Sequence, residues 1–533
     1  MTGSHGDTDA ATGRTLWSLA IGWADRRGDD DVLVHLPEPG SPEGMRSMSW
    51  GRLVHDVAQL RRTLAAAGVA DQRTVVLALP NSPLAVAMWL AVPANGAVIQ
   101  VVDPDGGALA FERAVAATRP VLVVAAPGNA ATMREAISRA GVSTRLVVPT
   151  ELGVDALRHD IDGLRSSRAG APDATPDQVA GLLPTSGTSG APKLVQLTHH
   201  NYVTAAERLA RNTGFLTSDR HYLCSPFFHT NGQLYLCAPA FVTGGSVAVV
   251  PRFSASSYFD AARWTGATVS SMVAPPMRMA LHRAMERGGT VDPGGLRLVQ
   301  YGMNLSESDW RAWDALLPGI DTRQIYGQTE SVTGVLGGAP WEVDDRRTIG
   351  RPFVGVERVR LVPAGAADVT DAGAEVPDGE PGELWVRGIP GRSLMLGYDN
   401  APETTAETLV ADSSGAWLRT GDLMVRHPDG RFEFRGRRMH IIRRGGENLS
   451  TYGLELDLQS CPLVGDVAVT AREDDTLDAI VVAHVIAAQG YDETAFRAWC
   501  LENLGKRGVP DVVEVHQSFP RTGSGRVITR ELG

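Results

Sequence analysis

Between two mostly apolar runs, 179–183 and 194–197, the chain inserts Pro184-Thr-Ser-Gly-Thr-Ser-Gly-Ala-Pro-Lys193. Gly187 and Gly190 let successive backbone N–H groups converge on one point. Thr185, Ser186, Thr188 and Ser189 add hydroxyl donors, and Lys193 adds a mobile positive charge. Such a segment can cradle a polyphosphate. Its spacing, Gly187-x-x-Gly190-x-x-Lys193, is not that of the common P-loop. A flexible Ser/Thr/Gly linker has the same composition. The apolar runs on both sides favour a strand–loop–strand nucleotide site instead.

At 533 residues the chain exceeds one ordinary core, and two or three domains are expected. Lys+Arg 50 against Asp+Glu 61 leaves a net charge of −11, which argues against non-specific binding of nucleic acid or anionic membrane. Cys224, Cys237, Cys461 and Cys500 are scattered and form no C-x-x-C pair, a pattern that fits a reducing cytoplasm. Residues 1–14 are polar and rich in Gly, Ser and Asp, and are expected to be disordered. Residues 75–102 carry no charge and imitate a membrane span. Pro80, Pro83, Pro93, Asn95 and Gly96 interrupt them, so strand, helix from Pro83, and second strand fits better.

Apolar strand-like runs at 75–79, 98–102 and 121–124 alternate with helix-like stretches at 57–67 and 131–140. That alternation predicts a parallel sheet covered on both faces. From Val354 onward, short strands punctuated by Gly, Pro and Asp predict a β-rich subdomain. The fold class is therefore α/β, with a smaller C-terminal unit after residues 436–446.

Further segments follow the loop in order. They are Ser225-Pro-Phe-Phe-His-Thr-Asn-Gly232, Tyr301-Gly-Met-Asn-Leu305, Gln324-Ile-Tyr-Gly-Gln-Thr-Glu-Ser331 and Gly379-Glu-Pro-Gly-Glu-Leu-Trp-Val-Arg-Gly388. After them come Arg419-Thr-Gly-Asp-Leu423, Gly436-Arg437, Gly445-Gly-Glu-Asn448 and Pro520-Arg-Thr-Gly-Ser-Gly-Arg526. Together they resemble the adenylate-forming superfamily of acyl- and aryl-CoA ligases, peptide-synthetase adenylation domains and luciferases, from about Leu16 to the end. The resemblance implies a large domain of parallel α/β sheets with a β-rich subdomain (15–438) and a small, mobile α+β domain (439–533), pivoting at His440. It also implies ATP and Mg²⁺, a small-molecule acid as substrate, and CoA as a candidate acceptor.

By that resemblance Thr185 to Gly190 and Lys193 hold the phosphates, Gly302 and Met303 flank adenine, Tyr326 stacks on it, and Gly327 belongs to the same nucleotide-binding segment. Thr329 touches phosphate and Glu330 carries the Mg²⁺, consistent with a hard dication's preference for carboxylate. Asp422 binds the ribose hydroxyls with Arg437 beside it. His229 gates the acyl pocket, with Tyr235, Met303, Val332, Thr333 and Val335 as its walls; a structural histidine is the alternative. Gly445, Gly446 and Glu447 border the path of the second substrate.

The chain departs from the family where catalysis would need it most. The position that aligns with the adenylating lysine is Arg526, which keeps the charge on a planar fork. Met439 and His440 replace a basic and an acidic residue, Thr451 replaces a proline, and Gly508 replaces a basic residue. The leading expectation is an AMP-forming ligase that adenylates a small or aryl carboxylic acid and passes it to CoA. Thiol-free use of the adenylate, such as ATP-dependent activation of nitrite to diazotise an aryl amine, is the alternative. A non-catalytic nucleotide-binding protein is a third reading.

Overall fold

The alternation of apolar strands and helices in the first 300 residues builds two large sheets. The structure, a computed structural model, describes residues 13–151, 157, 173–185, 193–338, 347–364, 366, 375–437, 441–444, 447–474, 478–504, 508–522 and 525–532, with backbone only at 441–444, 447–450 and 478. One sheet has seven strands, with Val179–Thr185, Val98–Val101, Thr74–Ala78, Leu122–Ala125 and Arg145–Val147 running parallel through its middle and edge. The expected strand–loop–strand is present: Val179–Thr185 pairs antiparallel with Lys193–Thr198, placing Thr185 opposite Lys193.

The helix Pro83–Ala94 is buried along almost its whole length, because it packs between sheet and neighbouring helices. This burial accounts for the membrane-like stretch, and no described helix is long and apolar enough to cross a membrane. Val98–Val101 and Leu122–Ala125 are likewise fully buried strands, as continuous apolar runs in a parallel sheet require.

The second sheet has nine strands, parallel from Asp31–His35 through Asp321–Gln328 and antiparallel at both ends. Its strands Leu298–Gly302 and Asp321–Gln328 lie side by side and deliver two of the expected nucleotide segments to one edge. A five-stranded antiparallel sheet spanning 358–437 forms the β-rich subdomain.

Beyond it, the hairpin Ile441–Arg444/Glu447–Ser450 leads into the helix Thr451–Gln459. A three-stranded sheet, Val464–Asp474, Asp478–Ala487 and Val512–His516, then carries its own core of Leu454, Val467, Val481, Val485, Phe496 and Cys500. Arg14, assigned from sequence to a disordered terminus, pairs instead with Glu207, and Thr15 caps the first helix.

Candidate functional site

The gate segment is held from behind by buried amides. Asn81 accepts from Phe227 N at 2.9 Å and donates to Ser225 O at 3.0 Å. Gln233 donates to Phe227 O and accepts from both Trp89 Nε1 (3.0 Å) and the Tyr202 hydroxyl (2.8 Å). With every amide group satisfied, this buried network fixes the backbone that presents His229. The following residues, Asn231–Cys237, wind as a π-helix, a geometry common at functional sites. Gly232 is obligatory there, since a Cβ would lie 2.7 Å from Pro226 O.

His229 lines a cleft of about 550 Å³ with Phe228, Asn231, Arg252, Arg278 and His282 from the large domain and Asp466, Arg521 and Gly525 from the small one. Arg278 reaches Asp466 at 3.9 Å, and Asp466 also pairs with Arg521. Burial, reinforced by the Arg526 charge, lowers the His229 imidazole to about 4, so it is neutral at physiological pH.

The segment Gln324 to Glu330 runs off the end of the strand Asp321–Gln328. Thr329 Oγ1 and Thr230 Oγ1 lie 2.8 Å apart, joining this segment to the gate. A Cβ at Gly327 would fall 2.2 Å from Thr333 O and 2.9 Å from the Tyr235 hydroxyl, so only glycine fits. Met303, Val332 and Thr333 all have positive φ (69°, 53° and 73°). For β-branched Val332 and Thr333 this is a strained conformation, of a kind that concentrates at functional sites.

Asp422 is almost fully buried and sits at the centre of the polar constellation. Its Oδ2 accepts from the Tyr326 hydroxyl and from Gln328 Nε2, both at 2.7 Å. Arg437 Nε approaches Oδ1 at 3.0 Å, yet that oxygen has no well-aligned hydrogen bond. A buried carboxylate oxygen left this way suits a ligand hydroxyl. The Asp422 charge holds the Arg437 guanidinium above its ordinary range. Glu330 Oε1 accepts from the Tyr398 hydroxyl at 2.9 Å, and Lys193 Nζ stands 5.1 Å from the centre of the Tyr398 ring. Lys193, Tyr398 and Glu330 therefore form one line of contacts.

Arg526 enters this constellation from the small domain. It is open to solvent, yet protein surrounds it closely, the situation of a side chain standing in a cleft. Desolvation and then Arg437 lower its affinity for protons, while Asp422, Tyr452 and Glu330 oppose them. Its turn is closed by Thr522 N→Arg526 O at 2.8 Å and by Gly525 at φ 85°. Tyr452, from the small-domain helix, accepts from Asn304 N at 3.0 Å and so pins the adenine-side loop.

Residues 22–399 match the AMP-binding enzyme family, and 454–526 match the AMP-binding enzyme C-terminal domain. The chain belongs to the AMP-binding enzyme family. It is an adenylate-forming ligase of the acyl- and aryl-CoA ligase type. A crotonobetaine/carnitine–CoA ligase of Citrobacter koseri is 28% identical over 98% of this chain and 100% of its own. A sulfoacetate–CoA ligase of Cupriavidus necator is 30% identical over 91% and 92%. Among solved structures, an anthranilate CoA ligase with bound anthranoyl-AMP superposes with TM-score 0.84 at 20% identity, covering 98% of this chain and 97% of its own, which shows the fold. An amide bond synthetase of Marinactinospora thermotolerans gives 0.78 at 27% identity over 97% and 99%.

Within this member of the family, Lys193, Tyr326, Glu330, Asp422, Arg437 and Arg526 gather through these contacts, and none of the six lines the 550 Å³ cleft. Ser186 to Gly190, His440, Gly445 and Gly446 lie outside the described residues, and Glu447 is described in backbone only. Val332, Thr333 and Val335, expected as pocket walls, are fully buried, and Val332 and Val335 belong to the main core. They, Tyr235 and Met303 do not line the 550 Å³ cleft. Sequence reasoning missed Tyr398, Gln328 and Tyr452. Gln328 lies within the Gln324–Ser331 segment, whereas Tyr398 and Tyr452 carry no signal beyond being tyrosines.

Proposed function

We propose that this enzyme adenylates a small or aryl carboxylic acid and passes the acyl group to the thiol of CoA. The observation that carries this reading is the buried Asp422, held by Tyr326 and Gln328 at 2.7 Å and faced by Arg437 at 3.0 Å, with one oxygen left without a well-aligned hydrogen bond and Arg526 within electrostatic reach. In the first step a carboxylate oxygen attacks the α-phosphorus of ATP, and the bond to pyrophosphate breaks. Arg526 offers two N–H groups to the attacking carboxylate and the α-phosphate. Lys193 offsets charge on the departing pyrophosphate. Asp422 accepts from the ribose hydroxyls through its unsatisfied oxygen, and Tyr326 presents its ring to adenine. Glu330, with one oxygen held by Tyr398, is suited to hold Mg²⁺, which when bound neutralises phosphate charge.

In the second step the thiol attacks the acyl carbonyl, and AMP leaves. The cleft of about 550 Å³ supports this step, because its Arg252, Arg278 and Arg521 side chains suit a phosphate-bearing acceptor. His229, neutral and lining the cleft, can hydrogen-bond the acyl group or the incoming thiol; its lowered proton affinity makes it a poor base, so the thiol proton leaves to solvent. Relatives named as CoA ligases favour CoA over other acceptors, whereas the amide bond synthetase argues for an amine as the control.

The test is AMP release from ATP–Mg²⁺ by purified protein, with pooled aryl and short-chain acids, without CoA, with CoA, and with amines. Acid-dependent AMP that rises with CoA and yields a thioester is the expected result. Release with amines alone would reassign the acceptor. Release with nitrite plus an aryl amine, and none with acids, would overturn the carboxylate reading.

A further inference from the structure

The small domain carries a group of metal-ligating side chains outside the nucleotide site. His484 lies on Asp478–Ala487, and Glu514 and His516 lie on the parallel neighbour Val512–His516. The register pairs His484 with Glu514, and Ile486 with His516. Alternation along the strands therefore puts all three on the face opposite Val481, Ala483 and Val485, which fill the small-domain core.

His484 Nδ1 is 3.1 Å from His516 Nε2 and 3.3 Å from Glu514 Oε2, and the last two atoms are 4.0 Å apart. A tetrahedral Zn²⁺ with bonds of about 2.0–2.1 Å needs ligand atoms roughly 3.3 Å from one another. The three separations bracket that value.

The surroundings also suit ligation. Thr470 Oγ1 sits 2.9 Å from His484 Nε2, engaging the far nitrogen and leaving Nδ1 for an ion. Arg472 binds the other carboxylate oxygen of Glu514 at 2.6 Å, which orients Oε2 toward the imidazoles. Burial keeps the His484 imidazole below its ordinary value, and Arg472 does the same for the Glu514 carboxyl. His484 is completely buried, whereas Glu514 and His516 are partly exposed and leave a way in.

We propose that His484, Glu514 and His516 bind one transition-metal ion of the Zn²⁺ class, with the fourth position open to water. The site is placed to act on the adenylating arm. On the same sheet face Ala468 packs with Phe519 and Leu532, at either end of the segment that carries Arg526. The His516 ring lies 5.7 Å from that of Phe519. An ion that ties Glu514 and His516 to His484 would stiffen the floor on which the Arg526 segment rests.

The experiment is a Co²⁺ titration of untagged, chelator-stripped full-length protein, followed by visible absorption. One equivalent is expected to bind with the spectrum of a four-coordinate ion and to be displaced by Zn²⁺. His516→Ala and Glu514→Gln should each weaken binding at least tenfold. Glu330→Gln should leave the absorption unchanged, which separates this site from the nucleotide-linked cation. The His516 side chain is 26% exposed and lies at the rim of the trio, so His516→Ala should fold, as circular dichroism in chelator can verify. Glu514→Gln serves if it does not. Zn²⁺ should also raise the thermal midpoint of the wild type and not of His516→Ala. Equal Co²⁺ affinity and spectrum in wild type and both ligand variants, or no one-equivalent step at all, would overturn the proposal.

Discussion

Asp422→Asn keeps shape and removes charge, which makes it the sharpest probe of the nucleotide site. In the native site Oδ2 accepts from Tyr326 and Gln328 while Oδ1 faces Arg437 Nε at 3.0 Å. An asparagine oxygen can replace only one of these two faces. Either its NH₂ group meets Arg437 or it meets Tyr326 and Gln328, so a donor confronts a donor in both rotamers. The lost attraction between Asp422 and Arg437 is at most about 5 kcal/mol at an effective dielectric of about 20. Arg437 is 34% exposed, and solvent screening reduces the loss to about 2 kcal/mol. For ligand binding, losing a charged acceptor costs about 1.5–3 kcal/mol. ATP should therefore bind about tenfold to 150-fold more weakly. Calorimetric titration with ATP and with 2′-deoxy-ATP tests this. Wild type should discriminate between the two, and Asp422→Asn should not. Binding of ATP to the variant within twofold of wild type would refute the ribose role of Asp422.

Tyr398→Phe removes the hydroxyl that holds Glu330 and retains the ring beneath Lys193; the Mg²⁺ concentration giving half-maximal AMP release should rise several-fold, with little change in saturating rate. Gly327→Ala should abolish adenylation, because its Cβ would overlap the Thr333 carbonyl; ATP binding and AMP release both report it. Arg526→Ala should lower acid-dependent AMP release at least 100-fold, whereas Arg526→Lys should retain much of it; equal rates in all three proteins would remove Arg526 from the first step. The buried His199 and His221 imidazoles are lowered from 6.5 to about 4 by desolvation. Their neutral forms stabilise the fold above the unfolded value, and that stability drains away as pH falls from about 6.5 to 4, by roughly 3 kcal/mol per histidine. Urea midpoints measured across this window should fall with acid, and His221→Phe should flatten the slope.

Much of the fold was legible because it rests on local chemistry. Uncharged β-branched runs at 75–79 and 98–102 could be satisfied only as buried parallel strands, and the prolines between them limited the helix to Pro83–Ala94. The switch to short strands after Val354 was similarly visible, since turn residues interrupt the chain at regular intervals. The direction of the side chains expected as pocket walls was not legible. Val332 and Val335 have the composition of a pocket lining, but side-chain direction depends on backbone that turns through positive φ at Val332 and Thr333. No β-branched residue advertises that conformation. Gly508 shows the converse: read as a lost basic residue, it is a place where a Cβ would stand 2.3 Å from the Leu504 Cβ.

The sequence by itself determined the order of the nucleotide segments, the chemical type of each site residue and the substitution of arginine for lysine at position 526, because these are properties of residues read one at a time. Tertiary structure alone decided that Tyr398 lies between Lys193 and Glu330, that Tyr452 pins the adenine-side loop, and that His484 meets Glu514 and His516. Such contacts join side chains distant along the chain. Strand register and domain packing set their separations, and neither is written in any local stretch of residues.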